Sequence, residues 1–359
     1  MKFTNMLSRS TALRSGVAAL ALAATVAATG TAHAATTLVE TGSSLLYPLF
    51  NLWVPAFTAA HPGIQITTTS TGSGAGIAQS IKNLVQIGAS DAYMSDALVH
   101  RNPDMLNIPL AISAQAVNYN LPGLGGDTHI KLSGPILAGI YSGKITMWNA
   151  PAIRAANPGV DLPAHKIIPI HRVDGSGDTF IFTQYLSDST PSWASSVHYG
   201  TTVSWPAVSD GIGANGNSGM VSAAAANPYS VAYIGVSYAG EAAKAGLGVA
   251  ELKNANGQYV LPNAETVGAA AASVVTVTPP DERISMIFAH GNDAYPIANY
   301  EYAIVDAKQP DATTAASLRT FLDWAVTDGN APHFLDQVHF LPLPDAIKTL
   351  SETQIAKIK

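Results

Sequence analysis

The chain predicts an α/β protein built in two lobes. Two observations carry this: a strand, a glycine turn and a helix follow one another repeatedly from residue 36 onward, and the chain is too long for one core. Its 359 residues begin with a leader pattern. Lys2, Arg9 and Arg14 precede the apolar run Val17 to Val26, and Ala32-His33-Ala34 has the A-x-A form of a cleavage site. Residues 1–34 are therefore expected to be removed on export. The remaining chain exceeds the roughly 250–300 residues that a single core sustains.

Taken in order, Thr36 to Gly42 reads as a strand ending in a glycine turn. Ser43 to Pro48 opens a helix that runs to about Ala60, with Pro48 in the first turn, where proline is tolerated. Ile64 to Ser70 alternates as a strand, Thr71 to Gly76 reads as a glycine turn, and Ile77 to Val85 has helical spacing. Gln86 to Asp91 is a short strand leading into a loop. Longer strands begin near Pro109 to Asn120, followed by a helix around Ser133 to Tyr141. Ile167 to His171 is a strand that delivers Arg172, and Thr179 to Leu186 is the helix after it. Glycine-rich Asp210 to Gly219 leads into a helix over Met220 to Ala226. Val231 to Ile234 and Tyr300 to Asp306 are strands, and Ala312 to Thr327 is an amphipathic helix.

Composition excludes several functions. There is no cysteine, hence no disulfide, thiolate catalysis or lipid-modified cysteine at the cleavage site. The leader holds three basic and no acidic residues, so the remainder carries 15 Lys+Arg against 24 Asp+Glu, a net charge of −9. Such a chain repels nucleic acid. No histidines have the spacing of a metal motif, and neither a metal nor a cofactor is expected.

The most informative stretch is Arg172-Val-Asp-Gly-Ser-Gly-Asp-Thr179. Arg172 offers paired N–H donors that suit a carboxylate or phosphate. Gly175 and Gly177 allow close backbone approach, Ser176 adds a hydroxyl, and the free amides of the following helix suit an anion. Two further glycine- and serine-bearing turns, 42–47 and 71–76, also precede helices. Singly, each turn serves only the chain reversal. Together with Arg172 they suggest one shared anion site beyond the carboxyl ends of the strands. Asp91 and Asp178 would place acceptors in it, although Asp91 at this position also suits a helix cap.

Thr41-Gly-Ser-Ser-Leu-Leu-Tyr-Pro48, Gly72-Ser-Gly-Ala-Gly76, Gly88-Ala-Ser-Asp91 and Arg172 to Thr179 occur in the order and spacing of the PstS family, the phosphate-binding proteins of the Pst ABC transporter. The likeness runs from about 37 to 350 and includes Tyr141 to Trp148 and Phe321 to Ala325. It implies a type II periplasmic binding protein, each lobe a central mixed β-sheet flanked by helices, with ligand in the cleft between lobes. Residues 35–111 with 290–359 would form one lobe and 112–289 the other.

Carried over by motif, phosphate contacts fall on the Leu46 and Tyr47 amides, Ser73, Asp91, Arg172, Ser176, Gly177 and Asp178, with Asp174 bracing Arg172. Leu46 stands where many members have Thr, and so does Asp178. The implied partners are inorganic phosphate and the permease and ATPase of the transporter. The implied protein is a periplasmic monomer without catalysis or lipid anchor. A carrier of sulfate or molybdate, a secreted hydrolase, and an exported phosphate scavenger or adhesive surface protein without a transporter are the alternatives. The hydrolase lacks a G-x-S-x-G motif and a base beside Ser176.

Overall fold

The computed structural model describes residues 35–124 and 128–359; the expected leader, 1–34, lies outside them. Eight principal strands form one continuous curled sheet: Thr36–Gly42 (β1), Ile64–Ser70 (β2), Ile87–Ser90 (β3), Met105–Tyr119 (β4), Ile168–Arg172 (β5), Ile212–Ala214 (β6), Ser230–Gly235 (β7) and Ala298–Asp306 (β8). Their order is β2-β1-β3-β8-β4-β7-β5-β6, with Gly248–Val249 added beside β4. On one side β2, β1 and β3 run parallel; on the other β7, β5 and β6 do so. The antiparallel pair β8 and β4 joins the two sets, which makes the sheet mixed and the protein two-lobed.

Strand β4 is the shared element. All 15 of its residues are buried, as expected of a strand covered on both faces. At about 3.3 Å per residue it spans nearly 50 Å, enough to serve both lobes. Residues 105–114 pair with β8, and 115–119 pair with β7. A bulge opposite Glu301 and Tyr302 leaves Leu110 as an extra residue in the ladder, and bulges bend the strand that carries them.

Helices follow the parallel strands as the sequence predicts: Tyr47–Ala60 (α1), Ser73–Ile81 (α2), Gly177–Ser189 (α3) and Gly216–Ala226 (α4), with Ala312–Val326 (α5) and Asp345–Ile355 (α6) near the C-terminus. Phe50, Trp53 and Phe57 of α1 pack on Phe321 of α5, Phe57 edge-on at 5.1 Å between ring centroids. The C-terminal helices thus complete the lobe begun by β1 to β3.

The start of α2 departs from expectation. It begins at Ser73 rather than Ile77, so Gly74 and Gly76 are helical. A Cβ on Gly76 would meet Ala89 O at 2.7 Å and the Gly42 Cα at 2.9 Å. Gly76 serves close helix-to-sheet contact and Gly74 close approach to the loop at Gly175, rather than a longer turn. Among the described residues no helix is long and apolar enough to cross a membrane.

Candidate anion-binding site

The carboxyl ends of both parallel strand sets face a common crevice, and the residues singled out in the sequence converge there. Arg172 ends β5 and is buried. Its backbone N–H donates to the Tyr233 hydroxyl at 2.8 Å, which fixes the strand end against β7. Each nitrogen of its guanidinium has a carboxylate partner. Nε donates to Asp174 Oδ1 at 2.7 Å, Nη2 donates to Asp174 Oδ2, and Nη1 donates to Asp178 Oδ2 at 2.7 Å.

Burial works to raise the Asp174 carboxyl, but the hydrogen bonds and charge of Arg172 outweigh it and hold it below the ordinary carboxylate range. Asp178 moves the other way. Burial raises it, and the opposing pull of Arg172, Gln115 and Asn217 does not cancel that effect. Gln115 Nε2 donates to Asp178 Oδ1 at 3.1 Å, and Asn217 Nδ2 donates to Oδ2 at 2.7 Å.

Ser176 caps α3, its hydroxyl accepting from the Thr179 amide at 3.2 Å. Gly177 begins the helix directly against the opposite lobe. A Cβ there would collide with the Asp91 carboxylate and the Ser73 hydroxyl. Only glycine permits this approach of the two lobes.

Asp91 follows β3 and is buried. Ser43 donates its hydroxyl to Oδ1, and Ser73 donates to Oδ2 at 3.3 Å. The Asp91 amide in turn donates to Ser73 Oγ at 3.2 Å. Burial, then the charge of Asp178, raises the Asp91 carboxyl to about 7, against the opposing effects of Glu301, Ser43 and Arg172. The Leu46 and Tyr47 amides both turn onto Ser43, donating to its hydroxyl at 2.9 Å and its carbonyl at 3.1 Å.

The lobes meet through a seam around these groups. Gly74 N–H donates to Gly175 O at 2.8 Å, Asn217 Nδ2 to Ser44 Oγ at 2.9 Å, and Ser237 Oγ to Leu45 O at 2.7 Å. Ser43, Ser44, Gln115, Asn217 and Glu301 were not anticipated as site residues. Gln115 is one of four buried Asn, Ser or Gln residues in β4, and Glu301 lies in a buried β8. A polar residue inside a strand buried on both faces is the signal that finds Gln115 and Glu301. Ser43, Ser44 and Asn217, which lie outside the strands, carry no such signal. His171 turns away from the site and stacks on Trp205 at 4.8 Å.

The site therefore holds one guanidinium among Asp91, Asp174 and Asp178. Such a site suits an anion that brings its own proton for one of those acceptors. Among the described residues no group of His, Asp or Glu is arranged to hold a metal ion.

Residues 27–329 match the model of the PBP superfamily domain. The chain is 33% identical over 343 residues to the phosphate-binding protein PstS of Methanocaldococcus jannaschii, covering 90% of this chain and 87% of that one. It is 34% identical over 303 residues to the phosphate-binding protein PstS of Xylella fastidiosa strain Temecula1, covering 84% and 80%. Among solved structures, a high affinity periplasmic phosphate-binding protein (PfluDING) bound with phosphate superposes with a TM-score of 0.71 at 22% identity, over 89% of this chain and 93% of that one. The last likeness is one of fold.

Proposed function

The chain belongs to the PBP superfamily and, within it, to the PstS family of phosphate-binding proteins, and from that premise we propose that its interlobe site captures inorganic phosphate for delivery to an ABC transporter. The observation that carries this reading is Asp91, a buried carboxyl raised to about 7, in the same anion site as Arg172. Phosphate near neutral pH bears at least one P–OH, and a buried carboxylate accepts that hydroxyl in a short charge-assisted hydrogen bond. Sulfate has no such proton. Against Asp91 it would set lone pair against lone pair in a desolvated place.

In this reading Arg172 supplies the cation, and the hydroxyls of Ser73 and Ser176 with the amides of Leu46, Tyr47 and Gly177 supply neutral donors. Asp91 and Asp178 accept ligand protons, and Asp174 holds the guanidinium. The lobes, 35–111 with 290–359 and 112–289, hinge on β4 and β8 and close on the ligand. Four of the donors are engaged inside the protein, the Leu46 and Tyr47 amides by Ser43, Ser73 by Asp91 and Arg172 by Asp174 and Asp178. On binding, the two amides, Ser73 and Arg172 Nη1 would turn from those partners to oxyanion atoms. The protein works as a periplasmic monomer that presents phosphate to the permease and performs no reaction.

A calorimetric titration with phosphate, arsenate and sulfate, after stripping bound ligand, tests this. Phosphate and arsenate share shape and protonation and should both bind, with sulfate weaker by about 100-fold or more. Sulfate binding as well as phosphate would overturn the assignment.

A further inference from the structure

Glu301 is fully buried on β8 and has no part in the contacts assigned above. Ser113 Oγ donates to its Oε1 at 2.5 Å, and Asn299 Nδ2 donates to the same oxygen at 3.1 Å. Its Oε2 meets no donor. The acid lies instead within hydrogen-bonding reach of the Asp91 carboxylate. Asn299 ties the pair together, since its Nδ2 also donates to Asp91 O at 3.3 Å.

Two ionised carboxylates in such contact would present lone pairs to one another where no water screens them. A single proton converts that repulsion into a short O–H···O⁻ bond. An oxygen with no donor beside a neighbouring carboxylate is what a protonated carboxyl requires. Among the described residues no cation is placed to serve Glu301 in its stead. The groups bearing on it are Asp91 from the end of β3, Ser113 from β4 and Asn299 from its own strand. Asp178 at the start of α3 and Arg172 at the end of β5 act on Asp91, and Arg172 is engaged by Asp174 and Asp178.

We propose that Glu301 is a positioning residue of the anion site: a neutral acid that donates its proton to Asp91 and so fixes Asp91 as the acceptor for the ligand's hydroxyl. The proposal rests on the phosphate reading for its consequence, not for its chemistry. Burial and the Asp91 charge both raise Glu301 well above the ordinary carboxyl range, consistent with that state. The proton stays through neutral pH and leaves only in alkali. Its loss places a second charge beside Asp91 and weakens anion binding.

The test has a ligand-free arm and a binding arm. Infrared spectra at about pH 7 should show a protonated-carboxyl C=O band that is reduced in Glu301→Gln, a near-isosteric change that keeps a donor. In Asp91→Asn the charge that holds the proton is gone, so the Glu301 band should disappear at lower pH than in the unaltered chain. In the binding arm, the ratio of wild-type to Glu301→Gln phosphate affinity cancels the ligand's own titration. That ratio should stay flat while the carboxyl band persists and fall as the band is lost in alkali, because only the wild type gains a charge at this position. A ratio that holds after the carboxyl band is lost, or a carboxyl band unchanged by both substitutions, overturns the proposal. Failure of the wild type to bind phosphate overturns the functional reading instead, and the infrared arm still decides where the proton resides.

Discussion

Arg172 Nη1 lies 2.7 Å from Asp178 Oδ2, with both side chains almost wholly buried. Asp174 engages the other side of the same guanidinium. The cation at the centre of the proposed site is thus more than neutralised before any anion arrives. A ligand with a full, unprotonated negative charge would meet a field that Arg172 alone does not reverse. A ligand that brings a proton to one of the surrounding carboxylates escapes that penalty, which is why the arrangement favours protonated oxyanions over sulfate.

Removing the guanidinium tests the whole assignment. Arg172→Ala deletes the paired donors and leaves Asp174 and Asp178 buried without their partner. Truncating one member of a buried hydrogen-bonded charge pair costs about 2–5 kcal/mol, or roughly 30- to several-thousand-fold in affinity. Calorimetry on protein shown to be folded by circular dichroism should find a loss in that range. Affinity within about threefold of wild type would place the anion elsewhere.

Asp178 sets the pH response. Wild-type affinity should weaken from about pH 6 to about pH 8.5, because the Asp178 carboxylate disfavours the second charge that the ligand gains. Asp178→Thr removes a carboxylate from the site and frees Arg172 Nη1. The trend should then flatten, with the largest gain at the alkaline end. Identical profiles for the two proteins would mean that Asp178 only braces Arg172 and bears on no ligand proton.

How far the sequence revealed this site depends on how its parts are brought together. Arg172, Asp174, Ser176, Gly177 and Asp178 are near neighbours in the chain, at a strand end and a helix start, so local pattern alone placed them. Asp91 follows a short strand, where it suits a helix cap as well, so the family motif and not its local position singles it out. Gln115 and Asn217 reach Asp178 from 63 and 39 residues away, and Asn299 reaches Asp91 across 208. Strand register and lobe packing make those contacts, and no local pattern encodes them. Glu301 stands within a strand recognised in the sequence, but its burial depends on what packs on the sheet face around it, where Ser113 comes from β4 and Asp91 from the end of β3. The α/β alternation was legible for the same reason as Arg172: each strand, turn and helix is a local event. The early start of α2 was not, because Gly74 and Gly76 read as a turn until the contacts with Gly175 and Ala89 are known.

A second buried acid makes a prediction about stability rather than binding. Glu282 is buried, with Ser351 Oγ donating to it at 2.9 Å and Gln354 Nε2 at 2.5 Å, which fastens the segment before β8 to α6. Burial raises it to about 8, against the lowering effects of Gln354, Ser351 and Lys357. The folded chain therefore binds this proton more tightly than the unfolded one. The stabilisation is fully present below the unfolded value near 4.5 and is lost as pH rises through about 8. Each pH unit in that window changes stability by about 1.4 kcal/mol for one proton. Urea unfolding at several pH values should show wild type losing stability relative to Glu282→Gln by a few kcal/mol, as an upper bound, between about pH 5 and about pH 8. A constant difference would mean that Glu282 is ionised in the folded protein.

Selectivity should reside in Asp91. Asp91→Asn preserves shape but replaces an acceptor-only group by one that also donates. Ser43 and Ser73 bond different oxygens of Asp91. In Asn one serine keeps its oxygen acceptor and the other can accept from the new N–H₂ through its hydroxyl oxygen, so the local frame survives. Phosphate keeps an amide oxygen for its proton and loses one source of repulsion, so its affinity should change little. Sulfate gains twice: the charge is gone, and an N–H can turn toward its lone pair. A hydrogen bond involving a charged group contributes about 1.5–3 kcal/mol, so the phosphate-to-sulfate ratio should fall by roughly tenfold or more. Competition between the two anions at fixed ionic strength, run on both proteins, measures it. Should the ratio hold in Asp91→Asn, discrimination must come from Asp178, the other aspartate assigned to the ligand's protons, and Asp178→Asn becomes the variant in which the ratio collapses.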